Sequence, residues 1–180
     1  NDNEVSVQDV ALIDPADVNN NSFSVQIPEG TYKSFKMGVG LDAQTNALDP
    51  ASFADENPLS SFQSMYWTML KYRFAKIEGK ANTTGNLGGA NDIFIAYHIG
   101  TDAMYRTVEI DDANFADTFT LDDVTSLSVD IFIDLDKFFE QVDMINESSS
   151  HSTPAQLPIT TKVTDNLAGS LSARFTAWVI

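Results

Sequence analysis

The chain has no cysteine. That one absence removes disulfide staples, thiolate metal sites and cysteine nucleophiles together. Basic residues are scarce too: ten Lys and Arg stand against 26 Asp and Glu, a formal charge of −16. A nucleic-acid partner needs clustered cations to release the counterions of its phosphates, so that class of function is excluded. No run of about 18 apolar residues occurs, hence no transmembrane helix. There is no G-x-S-x-G elbow, no glycine-rich phosphate loop and no H-E-x-x-H, so no enzyme is expected. A carboxylate pair for glycoside hydrolysis leaves no mark in a sequence, because its separation is invisible there. The acidic groups Asp111-Asp112, Asp117, Asp122-Asp123 and Asp134/Asp136 miss the calcium-loop pattern and read as solvent-facing charge. The chain starts at Asn1 rather than Met and shows no signal-peptide pattern, so any targeting segment is expected upstream of it.

What is present is apolar and alternating. With 43% hydrophobic residues and twelve Phe, the chain has the means to build one good core, and disorder is not expected. Residues 1–180 read as a single domain with a flexible lead-in over about 1–4. Phe23, Val25 and Ile27 alternate with polar residues, and Phe35, Met37, Val39 and Leu41 alternate with Ser34, Lys36 and two glycines. Ile93, Ile95, Tyr97 and Ile99 alternate with Phe94, Ala96 and His98. Leu127 to Leu135 and Leu171 to Val179 repeat the pattern. Period two is the signature of strands, so an all-β antiparallel sandwich or flattened barrel of seven to nine strands is expected. Helix is confined to short connections: one at Leu135, Phe138, Phe139 and Val142, another at Ile159, Val163 and Leu167. Residues 82–89 and 147–154 read as loops.

Chemistry can reside in few places. Met65 to Gly79 is an aromatic-rich stretch whose apolar phase switches near Ala75, which requires a bulge or bend. Read alone it is a central strand or strand pair, with Trp67 largely buried. Lys71, Arg73, Lys76 and Lys80 fall in the same segment and suit a solvated strand edge, with an anionic-ligand patch as the alternative. His98 is placed beside an apolar layer near a strand end, either hydrogen-bonded within the protein or available as a metal ligand. His151 stands in a Ser-rich loop, and the two histidines form no spacing motif.

Taken in order, these blocks resemble a known family. Gly30-Thr31-Tyr32 through Gly38-Val39 with Asn46, then Met65-Tyr66-Trp67, then Tyr72-Arg73-Phe74 to Glu78-Gly79, then Tyr97-His98-Ile99-Gly100 are similar to the MbnP-like proteins. Leu127 to Asp136, His151 and Thr164-Asp165-Asn166 follow in the same order. These bacterial proteins are periplasmic or surface-exposed, some of them lipid-anchored, and are associated with methanobactin and copper handling. The resemblance implies a β-sandwich without catalysis, copper as the one expected cofactor, and histidine ligands. In some members a tryptophan is oxidised to kynurenine by a di-haem peroxidase partner. By position Trp67 and His98 match motif residues, and His151 matches more loosely. Met69 stands where the family often has a second Trp, and Lys71 where it often has Gly. A thioether at Met69 suits Cu(I), so His98, His151, Trp67 and Met69 form the expected metal set. The alternative is a metal-free ligand- or protein-interaction sandwich of a bacterial surface lipoprotein that keeps only the scaffold.

Overall fold

The computed structural model describes residues 3–19, 21–86, 88–110, 118–123 and 125–179. Ten strands and three short α-helices succeed one another among them. In chain order these are β1 (Gly30–Tyr32), β2 (Phe35–Val39), α1 (Ala43–Asn46), β3 (Tyr66–Trp67), β4 (Lys71–Ala81), β5 (Ile93–Gly100) and β6 (Arg106–Ile110). They continue with β7 (Phe119–Leu121), β8 (Thr125–Ile133), α2 (Leu135–Phe138), β9 (Ser149–Ser150), α3 (Leu157–Ser170) and β10 (Leu171–Val179). The fold is all-β and sandwich-like, with mostly antiparallel sheets, as the alternation predicts.

β1 pairs with β7, β2 with β6 and β8 with β10, each antiparallel. The sheet that matters for function has the order β3-β4-β5-β9, with β9 parallel to β5. Its inner face carries Ile95, Tyr97 and Ile99, which meet Met104, Phe138 and Val163 in the main buried cluster. Tyr97 and Val163 are fully buried and Ile99 nearly so. Burial at that level stabilises by about 1.5–3 kcal/mol for each such side chain. The cover over this face is α3, where Ile159, Val163 and Leu167 recur at intervals of four as the sequence implies. Thr160 and Thr164 are buried in α3 because their hydroxyls bond back to the carbonyls of Gln156 and Thr160.

Position along the sheet explains the remaining local choices. The phase switch in Met65–Gly79 has two sources. Residues 68–70 turn between β3 and β4, with the Leu70 amide bonded to the Trp67 carbonyl at 2.9 Å, and a register shift falls between Arg73 and Ala75. The stretch is thus a strand pair, and β3 lies at the sheet edge rather than at its centre. Trp67 is half-buried, not largely buried as expected, because an edge strand has cover on one side only. Lys76 and Lys80 lie where β4 pairs with β5 alone, and both are exposed.

Three other expectations change. Phe23, Val25 and Ile27 form no strand, and Phe23 is 54% exposed: alternation without a partner for its backbone groups makes no ladder. Asp134 is not on a solvated strand face but is the N-cap of α2, accepting the amides of Asp136 and Lys137. Leu135, expected to face inward from that helix, is exposed while Phe138 is buried. Asp111, Asp112 and Asp117 lie outside the described residues, as do the first two residues of the lead-in.

Candidate metal site

The site forms on the outer face of the four-stranded sheet. His98 is directly opposite Lys76, and Ala96 is opposite Glu78, so His98, Lys76 and Glu78 project to one side. Phe94 on the same face is 56% exposed, so this face is open rather than part of an apolar layer. The cover over His98 comes from elsewhere in the chain.

The cover is His151, which the sequence places in a polar loop. That loop contains β9, and two residues of parallel pairing with Ala96 and Tyr97 set the chain beside β5. Several bonds then hold it there. The Tyr97 hydroxyl donates to the Glu147 carbonyl at 2.6 Å, and the Ser150 hydroxyl meets that of Thr160. The Ser152 hydroxyl donates to the His98 carbonyl at 2.9 Å and accepts the Gly100 amide at 3.1 Å. The His151 amide donates to Gln156 Oε1 at 3.0 Å. As a result the two Nδ1 atoms of His98 and His151, 53 positions apart in the chain, stand 3.1 Å from each other.

Trp67 closes the third side. Its ring lies edge-on to both imidazoles, 6.1 Å from the His98 centroid and 5.8 Å from that of His151. Arg73 lies over Trp67, 5.9 Å from the ring centroid, and donates to the Ser64 carbonyl. The structure therefore brings His98, His151 and Trp67 together. Met69 does not join them by any hydrogen bond among the described residues; it lies in the turn after β3 and is 54% exposed.

The residue that the sequence reading missed as part of this site is Glu78. Its Oε1 meets His98 Nε2 at 2.8 Å, and its Oε2 meets Lys76 Nζ at 3.1 Å. The signal was present, since Glu78 belongs to the Glu78-Gly79 block, but its cross-strand relation to His98 depends on register. The bond from His98, then that from Lys76, holds the Glu78 carboxyl below the usual carboxylate range. Burial, then the neighbouring charges of His98 and Arg73, push the His151 imidazole below its ordinary value, with Glu78 opposing them. A low proton affinity keeps that imidazole neutral, the form that donates a lone pair to a metal.

The model of the MbnP family matches residues 1–155. The chain belongs to the MbnP family. No curated protein and no solved structure matches it. The matched region contains Trp67, Glu78, His98 and His151, whereas all of α3 and all of β10 lie past it.

Within this family pattern two glycine positions acquire a physical reason. A Cβ at Gly100, the glycine of the His98-Ile99-Gly100 block, would stand 2.9 Å from the Tyr72 carbonyl oxygen, so only glycine lets β4 and β5 close at that point. Lys71, which replaces a frequent family glycine, has φ of 62°. That is the left-handed region glycine occupies freely. At Gly79 the space is open, and nothing in the structure requires a glycine there.

Two nitrogens 3.1 Å apart match what neighbouring ligands of one ion require. Bonds of about 2 Å in tetrahedral geometry put such ligands about 3.3 Å apart, and a linear pair about 4 Å apart. Among the described residues no group of three or more His, Cys, Asp or Glu side chains could hold a metal. A donor set of two imidazoles is poor for structural zinc, which takes four protein ligands. It fits copper better, an ion that imidazole suits.

Proposed function

We propose that this MbnP-family protein is a non-enzymatic copper-binding protein that works outside the cytoplasm, at the periplasm or the cell surface. The observation that carries the reading is the His98–His151 pair, with its Nδ1 atoms 3.1 Å apart beneath Trp67. His98 and His151 are the residues that hold the ion, and Trp67 shields it from one side. Family membership supports copper as the ion and an extracytoplasmic setting. No helix among the described residues is long and apolar enough to cross a membrane. Without metal, the two imidazoles hydrogen-bond each other, one Nδ1–H to the other's lone pair. Binding at Nδ1 requires the donating ring to move that proton to its own Nε2, and an imidazole protonated on both nitrogens has no lone pair left for the cation, so uptake weakens as pH falls. A di-haem peroxidase partner acting on Trp67 is the corresponding proposal for the tryptophan, whose half-exposed position leaves it within reach of a protein surface.

The test is copper content after Cu(I) loading, with affinity measured by competition against a chromophoric chelator. Wild-type protein is expected to bind one equivalent. His98→Ala and His151→Ala are each expected to lose stoichiometric uptake while keeping the far-UV spectrum. Equal binding by both variants and wild type overturns the assignment.

One observation favours a second reading, a metal-free interaction surface. Phe62 and Met69, which flank β3, are 74% and 54% exposed. A wild-type protein that takes up no copper leaves that reading in place.

A further inference from the structure

The outer sheet face holds one carboxylate in contact with the histidine pair, and its geometry separates two roles. Glu78 Oε1 is 2.8 Å from His98 Nε2, while His98 Nδ1 is 3.1 Å from His151. The two nitrogens of one imidazole point in divergent directions. A carboxylate bonded at Nε2 therefore lies on the far side of the ring from any ion held at Nδ1, and cannot ligate the same ion. An ionised carboxylate only accepts hydrogen bonds, so the Nε2 it meets must carry the proton. That leaves Nδ1 of neutral His98 as a bare lone pair facing His151.

We infer that Glu78 is the positioning residue of this site: it selects the Nε2-protonated form of His98, locks the ring, and so presents the Nδ1 lone pair before any ion arrives. The inference rests on the histidine pair being the metal site. Three observations support it beyond the distance. Lys76 grips the other Glu78 oxygen at 3.1 Å, so the carboxylate is anchored at both ends. Lys76 is the direct cross-strand partner of His98, so one register fixes all three side chains. The His98 side chain retains only 12% exposure, which leaves little room for water to take the place of Glu78. A carboxylate on the remaining N–H of a ligating histidine orients the ring and raises its basicity.

The experiment compares wild type with Glu78→Ala and Glu78→Gln, in the metal-free protein and under Cu(I) titration. In metal-free wild type, ¹⁵N chemical shifts of the His98 ring at a pH where it is neutral are expected to show protonated Nε2 and unprotonated Nδ1. Glu78→Ala is expected to mix the two tautomers and to weaken Cu(I) binding by about 10- to 100-fold. In Glu78→Gln the side-chain amide oxygen can still accept from Nε2, so most of the tautomer preference and of the affinity should return. Because Glu78 is an exposed strand residue, both variants should keep the wild-type far-UV spectrum. If wild type binds no Cu(I), the copper reading fails, and the tautomer spectra still decide the role of Glu78. If wild type binds Cu(I) and Glu78→Ala keeps both its tautomer and its affinity, the Glu78 inference alone fails. An Nδ1-protonated His98 in wild type also overturns it.

Discussion

Trp67 shows how one side chain's energy depends on where its strand lies. A tryptophan in a closed core loses about 3–5 kcal/mol on truncation to alanine. Here the ring lies on an edge strand, half-buried, with the two histidines and Arg73 as partners. Less apolar area leaves water, and solvent can fill the gap left by truncation. Trp67→Ala is therefore expected to cost only about 1–2 kcal/mol in a urea melt, while uncovering the histidine pair. A loss as large as that of a core tryptophan contradicts the edge placement. Asn46 illustrates the opposite case. It is 1% exposed, and its side chain accepts the Tyr72 amide at 3.2 Å and donates to Asp102 at 2.6 Å, so a buried amide is matched on both sides.

At the scale of elements, the β3–β4 hairpin stores strain that the sequence hints at. Ser64 and Lys71, which bracket β3 and its turn, both have positive φ, 55° and 62°. A side chain in that region costs roughly 1 kcal/mol. Lys71→Gly is expected to raise stability by up to about 1 kcal/mol, partly offset by the greater chain entropy of glycine when unfolded. The check is a shift of the denaturation midpoint with an unchanged slope, and a clear fall in stability would refute strain at Lys71. The short strand β9 carries a larger consequence. Two residues of pairing are weak in themselves, yet Tyr97, Ser152 and Gln156 tie the segment on either side. Tyr97→Phe removes the hydroxyl that holds the Glu147 carbonyl. It is expected to cost about 1 kcal/mol and to loosen the His98–His151 contact, visible as broadened ring signals.

Across the whole molecule, −16 of formal charge must be accommodated, and the pH dependence of stability follows from which groups the fold perturbs. A hydrogen bond from Lys162 is the largest cause holding the Glu147 carboxyl below the ordinary glutamate value of 4.5. A carboxylate with a lowered folded pKa contributes stability that is present above 4.5 and is lost as pH falls through the folded value. Tyr97 behaves in the opposite sense. Burial, then the nearby Glu147 charge, raises its phenol from 10.0 to about 12. The unfolded chain ionises first, so the stability tied to neutral Tyr97 is intact below 10.0 and is lost as pH climbs to about 12. Urea denaturation across pH is expected to show a plateau with a fall on each side. Tyr97→Phe should flatten the alkaline fall over that interval, and an unchanged alkaline limb would contradict the perturbation.

Much of this was legible in the residues themselves. Alternation in Ile93–Ile99, Leu127–Ile133 and Leu171–Phe175 marks strands because side chains on a pleated ladder take opposite faces in turn. The phase switch near Ala75 announced the bulge, and the ordered blocks from Gly30 to His151 announced the family. Those are local properties, fixed by neighbours along the chain. Which strand is an edge, and so how deeply Trp67 is buried, depends on partners far away in sequence. The two histidines carry no spacing signal, because their meeting is made by β9 pairing in parallel with β5 and by α3 packing beneath. Glu78 likewise reaches His98 only through the register of β4 on β5. The residues determined that this chain forms sheets and which family it belongs to. Only the tertiary structure decided that two isolated imidazoles, one carboxylate and one tryptophan form a single site, since contact between distant side chains is set by register and packing rather than by composition.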